Sequence, residues 1–158
     1  MSSNLKNLGD HSEKNMVSMK SKKVGIVVSE WNDQITDSLL AAAHEVLISH
    51  GTKPKNIIVK YVPGSFELPL AAQFLASTKD IEAVICLGCV IQGETKHFDF
   101  ICDAVANGIT NVGLKYNKPI VFGVLTTNNL QQALDRAGGK HGNKGEEAAI
   151  TAIKMLGF

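Results

Sequence analysis

A chain of 158 residues suits one domain with a sizeable core, and 44% of its residues are apolar. Its formal net charge of +1 argues against a nucleic-acid binder held by a basic face. No apolar run reaches membrane-spanning length and the N-terminus lacks the apolar core of a signal peptide, so the sequence reads as a cytoplasmic protein with neither nucleic acid nor membrane as partner.

Met1 to about Lys22 is polar, with scattered Leu and Met and no sustained period. It reads as an extended or mobile arm, leaving residues 23–158 as the folded domain. Val24 to Val28 is a continuous apolar run of the kind found in parallel strands buried on both faces. Ser29-Glu30-Trp31-Asn32 then leads into a helix with Ile35, Leu39, Leu40, Ala43, Val46 and Leu47 on one side, stopped at Gly51.

Ile57 to Val62 is the second strand, closed by Pro63-Gly64-Ser65-Phe66-Glu67. The helix after it carries Leu68, Leu70, Ala71, Phe74 and Leu75, and Pro69 fits its first turn. A third strand, Ala83 to Leu87, passes through Gly88 and Gly93 into a helix whose Phe98, Ile101, Cys102, Val105 and Ile109 recur at helical spacing. Pro119 to Leu125 is the fourth strand; Asn128 or Asn129 can cap a helix from Leu130 to Ala137. Gly138-Gly139 breaks that helix, and Ala148, Ala149, Ala152, Ile153 and Leu156 line a last amphipathic one.

This is β-α repeated four times, the pattern of a four-stranded parallel sheet with helices on both faces. Ligands of such open sheets sit beyond the carboxyl ends of the strands. The polar or glycine-containing oddities fall at those ends: Ser29 to Asn32, Pro63 to Glu67, Gly88 to His97 and Thr126 to Asn129.

The stretch Gly93-Glu94-Thr95-Lys96-His97 opens a helix, where unpaired N–H groups and the positive dipole end attract an anion such as phosphate. Thr95 adds a hydroxyl, Lys96 a charge, and His97 a group that exchanges protons near neutral pH. The plainer alternative makes Thr95 a cap and His97 a half-exposed first-turn residue. Trp31, the sole tryptophan, could stack on a heteroaromatic ligand or be a partly buried core aromatic. Glu67 could accept hydrogen bonds from ligand hydroxyls or simply be the acidic residue expected at a helix start. Arg136 is either a charge near a helix C-terminus or a fork-shaped phosphate clamp. The run Gly138 to Gly145 suits a hinge or an assembly surface and is not a Walker loop. Cys86-Leu87-Gly88-Cys89 has CxxC spacing without a second pair, so Cys86, Cys89 and Cys102 read as buried thiols rather than metal or redox groups.

Taken together, five blocks resemble the 6,7-dimethyl-8-ribityllumazine synthase family: Val27 to Asn32, Val62 to Pro69, Leu87 to Phe98, Phe122 to Thr126, and Gln132 to Gly138. They run in order from about Lys23 to the end. The resemblance implies a three-layer flavodoxin-like sandwich and a transferase of riboflavin biosynthesis. It would condense 5-amino-6-(D-ribitylamino)uracil with 3,4-dihydroxy-2-butanone 4-phosphate, releasing phosphate and water without metal or organic cofactor. It further implies that Trp31 stacks on the pyrimidine, while Ser65, Phe66, Glu67, Cys89, Val90 and Ile91 hold its polar edge and ribityl chain. Glu94 and Thr95 would contact phosphate, Arg136 pair with it, His97 donate a proton, and Phe122 reach in from a neighbouring subunit. Homopentamers with active sites at subunit interfaces are implied. So is an icosahedral 60-mer shell able to enclose riboflavin synthase, toward which the short Ala137 to Gly145 link leans. Three departures stand out: Gln92 where the family often has Arg, Trp31 where many members have Phe, and a poorly matching N-terminal arm, a region that in the family can add a strand to a neighbour's sheet. The competing readings are a flavodoxin-like binding module, disfavoured because Ser29 to Asn32 is no phosphate loop, and a shell protein with a relic pocket.

Overall fold

The computed structural model describes residues 16–158. The first fifteen residues of the expected arm lie outside the described residues. Of the remainder, Met19 is fully buried, and Met16 and Val17 pack against the same core.

Four parallel strands form one sheet: β1 (Val24–Ser29), β2 (Ile57–Val62), β3 (Ala83–Ile91) and β4 (Ile120–Thr127), in the order β2-β1-β3-β4. Helices α1 (Asp33–Ser49), α2 (Leu68–Ser77), α3 (His97–Tyr116) and α5 (Lys144–Met155) cover it, and a short α4 (Leu130–Leu134) follows β4. The chain is the expected flavodoxin-like three-layer sandwich. Because side chains alternate along a strand, each strand feeds two cores. Val24, Ile26, Val28, Ile85, Leu87 and Leu125 pack with Leu39, Leu47, Ala149 and Ile153 of α1 and α5. On the other face Val27, Val84, Cys86 and Val124 meet Leu68, Ala72, Val105 and Ile109 of α2 and α3.

The helix boundaries have local causes. Asn32, left-handed at φ 61°, turns the chain from β1 into α1. Gly51 at φ +96° ends that helix, and Asn117 at φ 54° ends α3. Helices α1 and α5 cross so closely that a Cβ on Gly145 would lie 1.9 Å from the Leu39 carbonyl oxygen. Part of the glycine-rich run is therefore a packing requirement.

Several boundaries differ from those expected. Strand β3 continues through Gly88 to Ile91, because β4 pairs with it in register out to Ile91 opposite Thr127. The connection to α3 is consequently only Gln92 to Lys96. Asn129 caps α4, its side chain accepting from the Gln132 N–H at 3.0 Å, but the helix stops at Leu134 rather than Ala137. The following glycines form an antiparallel ribbon, β5 (Ala137–Gly139) with β6 (Gly142–Asn143). Arg136 thus sits in the turn just past the C-terminus of α4, where its guanidinium donates to the Gln132 carbonyl of the helix's last turn. On α2, Leu70 and Phe74 are 54% and 64% exposed, and the buried residues are Leu68, Ala72 and Ala76.

Candidate active site

The end of β1 is laid against the end of β2. The Glu30 N–H donates to the Val62 carbonyl at 2.8 Å and the Trp31 N–H to the Pro63 carbonyl at 3.2 Å. Trp31 is 72% exposed, which removes the core-aromatic alternative. Next to it, Asn32 donates its side-chain amide to the Cys89 carbonyl at 2.9 Å and so ties this loop to β3. Asn32 was missed by the sequence reading; its signal was an Asn, tolerant of left-handed backbone, between a strand and a helix.

Ser65–Glu67 forms a 3-10 turn before α2, and Glu67 accepts the Gly64 N–H at 3.0 Å. Its carboxylate therefore serves the turn with one oxygen. Phe66 is exposed, while the Ser65 hydroxyl is buried without a partner, as is that of Ser29. Gly88 explains how they fit: a Cβ there would lie 2.7 Å from the Ser65 Oγ and 3.4 Å from the Ser29 Oγ. Cys89 is buried, and Val90 and Ile91 are half-buried at the tip of β3.

The loop Gln92 to His97 is exposed, and the space a Gly93 side chain would fill is empty to 4 Å. The Gln92 N–H is used by the Thr127 carbonyl at 2.8 Å. His97 is the first residue of the 20-residue α3, its N–H reaching the Thr95 hydroxyl at a long 3.4 Å. An open helix N-terminus, with the Thr95 hydroxyl and His97 imidazole beside it, is suited to hold an anion and move a proton.

Two of the expected residues lie elsewhere. Phe122 and Arg136 line a groove of about 1010 Å³ along the outer edge of β4, between α3 and α5, together with Thr126, Lys144 and Glu147. Neither Trp31 nor His97 lines it. Phe122 is opposite Cys86 in the sheet, whereas Leu125 is opposite Cys89. At roughly 3.3 Å per residue, Phe122 therefore lies about 10 Å below the level of Cys89. The Arg136 guanidinium donates to the Gln132 carbonyl at 3.0 Å, and Lys144 is paired with Glu147 at 2.6 Å.

Cys86 and Cys89 are buried thiols as expected, whereas Cys102 on α3 is only half-buried. Burial pushes Cys86 up to about 12 and Cys89 up to about 11, so neither offers a thiolate at neutral pH. Among the described residues all three cysteines are free, and no group of three His, Cys, Asp or Glu side chains is arranged to hold a metal.

The family model described as 6,7-dimethyl-8-ribityllumazine synthase matches residues 21–158. The chain belongs to this family. Among its relatives, the 6,7-dimethyl-8-ribityllumazine synthase of Cytophaga hutchinsonii is 63% identical over 156 residues, covering 99% of this chain and 98% of that protein. The synthase of Parabacteroides distasonis is 51% identical over 158 residues, covering 100% and 99%. That of Porphyromonas gingivalis is 49% identical over 152 residues, covering 96% and 94%. For a lumazine synthase family member, the division of the expected residues between strand tips and sheet edge is the feature that needs a physical reading.

Proposed function

We propose that the chain condenses 5-amino-6-(D-ribitylamino)uracil with 3,4-dihydroxy-2-butanone 4-phosphate to give 6,7-dimethyl-8-ribityllumazine, phosphate and water. The activity is that of a transferase of riboflavin biosynthesis. The observations that carry the site assignment are the open N-terminus of α3, with His97 in its first position, and the exposed ring of Trp31 at the edge of the Ser65–Glu67 turn, where a Cβ on Gly64 would lie 3.5 Å from the Trp31 ring.

Trp31 stacks on the pyrimidine, a role consistent with a flat ring left in solvent at a strand end. The 3-10 turn Ser65–Glu67, with Cys89, Val90 and Ile91, offers main-chain donors and acceptors plus one carboxylate to the pyrimidine edge and ribityl hydroxyls. Glu94 and Thr95 border the phosphate, which the α3 N-terminus attracts. Imine formation, phosphate elimination and ring closure each move protons, and His97 delivers or takes them. Arg136 stabilises the charge that develops as phosphate departs. Holding two reactants together accounts for much of the remaining rate.

The offset of Phe122 along β4 supports a site shared between subunits. A ring stacked on Trp31 is out of reach of the same chain's Phe122, so a neighbouring subunit supplies Phe122 and Arg136 from its β4 edge. The unpaired side of β4 is also where an added strand would hydrogen-bond, the part the family resemblance gives to a neighbour's N-terminal arm. Leu70, Phe74, Phe100 and Leu114 on α2 and α3 are exposed, each forgoing roughly 1–2 kcal/mol of burial that a subunit interface would recover. Pentamers with shared sites, assembled into a 60-mer shell able to enclose riboflavin synthase, are the form we favour. The three free cysteines suit a reducing cytoplasm, and among the described residues no helix is long and apolar enough to cross a membrane.

Mixing purified protein with both substrates tests the activity: the fluorescent lumazine should form with an equal amount of inorganic phosphate, and no product would refute it. Co-assembly of His97→Ala with Arg136→Ala subunits tests the shared site. Random mixing in equal amounts should restore about a quarter of wild-type sites if the two residues come from neighbours in a cyclic interface, and none if they come from one chain.

A further inference from the structure

Asp135, the residue before Arg136, is only 9% exposed, and the proposed chemistry gives it no task. Its carboxylate joins two elements. One oxygen accepts the side-chain amide of Gln131 on α4 at 3.0 Å, and the other is 3.1 Å from the ammonium of Lys140 at the tip of the ribbon. Its main chain is held at both ends as well, its N–H donating to the Gln131 carbonyl at 2.9 Å and its carbonyl accepting the His141 N–H at 2.8 Å.

These bonds close a buckle around Arg136. The Arg136 N–H donates to the Ala133 carbonyl at 3.0 Å, and its carbonyl accepts the Lys144 N–H at 2.9 Å. Gly139 is pressed so near the Asp135 backbone that a Cβ would lie 2.7 Å from its Cα. Gly138, at φ +106°, makes the turn that brings Lys140 back. Arg136 therefore leaves a short loop whose two arms are pinned together by one carboxylate.

We infer that Asp135 is the positioning residue for Arg136: through Gln131 and Lys140 it holds the α4-to-ribbon turn closed, so that the guanidinium is aimed before the phosphate substrate arrives. The inference rests on the assignment of Arg136 to the phosphate. The carboxyl is held below its ordinary range, chiefly by the Gln131 hydrogen bond and then by Lys140, so it is ionised throughout the neutral range. The Gln131 and Lys140 bonds spend its charge within the turn, which suits a carboxylate that orients its neighbour rather than one that meets the phosphate.

The test is steady-state kinetics on Asp135→Ala, Asp135→Glu, Arg136→Ala and the double variant Asp135→Ala/Arg136→Ala in the assembled enzyme. A misaimed clamp should raise the KM of Asp135→Ala for the phosphate substrate roughly tenfold while leaving that for the pyrimidine within about twofold. Asp135→Glu should recover most of the loss, and the double variant should be no worse than Arg136→Ala, since coupled residues are not additive. A wild-type or lowered phosphate-substrate KM in Asp135→Ala would overturn the inference, a lowered one marking the carboxylate as a mere repulsive charge. If Arg136→Ala itself leaves that KM unchanged, the phosphate assignment fails first. Should Asp135→Ala not fold, Lys140→Met, altered at an exposed side chain, carries the test: a raised phosphate-substrate KM supports the buckle and an unchanged one overturns it.

Discussion

The side-chain amide of Asn32 donates to the main-chain carbonyl of Cys89 across 57 positions of sequence, at 2.9 Å. That bond fixes the loop bearing Trp31 to the strand tip that ends in Val90 and Ile91. It makes two sides of the proposed pyrimidine pocket one rigid unit.

Asn32 combines that bond with a left-handed backbone at φ 61°, and two substitutions separate the effects. Asn32→Gly keeps the backbone and loses the bond, with an expected loss of about 1 kcal/mol. Asn32→Ala loses both, at about 1–2 kcal/mol more. Chemical denaturation measures the difference, and equal stabilities would show that the backbone conformation carries no strain. Both variants should raise the pyrimidine KM, because the Trp31 loop is released.

Trp31 should be nearly irrelevant to stability, since its ring is already in solvent. Trp31→Ala is expected to leave the melting temperature unchanged and to raise the pyrimidine KM roughly tenfold, as loss of about 1.4 kcal/mol of stacking would. Trp31→Phe should retain most binding. As the only tryptophan, its fluorescence should quench when the pyrimidine substrate binds; an unchanged emission spectrum would place the ring outside the pocket.

His97→Ala should lower saturated turnover roughly 100-fold or more, as removal of a general acid or base does, with substrate binding changed far less. Kinetics at saturating concentrations of both substrates, set beside equilibrium binding, decide this. Lost binding with an intact saturated rate would make His97 a ligand contact.

Cys86 predicts an alkaline weakness. Its thiol keeps its proton in the fold up to about 12, whereas the unfolded chain releases it above its ordinary 9.0. Below pH 9 the shift has no effect on stability. Between the two values the unfolded state is favoured increasingly as pH rises, by about 1.4 kcal/mol per pH unit for this one group. Denaturation across that window should show a shallower slope in Cys86→Ala, and parallel slopes would mean that the thiol ionises within the folded protein. At neutral pH a thiol reagent should leave Cys86 unmodified until denaturant is added.

Apolar runs and helical spacings, read without any coordinates, were enough to determine the β-α order, the existence of the four parallel strands and the placing of Trp31, Ser65 to Glu67 and Glu94 to His97 in segments that follow strand ends. These follow from local patterns, since a strand buried on two faces is largely apolar and an amphipathic helix repeats its apolar residues every three or four positions. Tertiary contacts decided the rest. Gly88 looks like a loop residue, yet it stays in β3 because β4 supplies a pairing partner to Ile91 and because Ser29 and Ser65 occupy the space of its missing side chain. Leu70 and Phe74 have core spacing but are exposed, because periodicity identifies an apolar face without saying whether anything covers it. Phe122 and Arg136 fall on the sheet edge for a related reason: the level of a residue along β4, and the short α4 that delivers Arg136 into a ribbon, are set by register and packing against other elements.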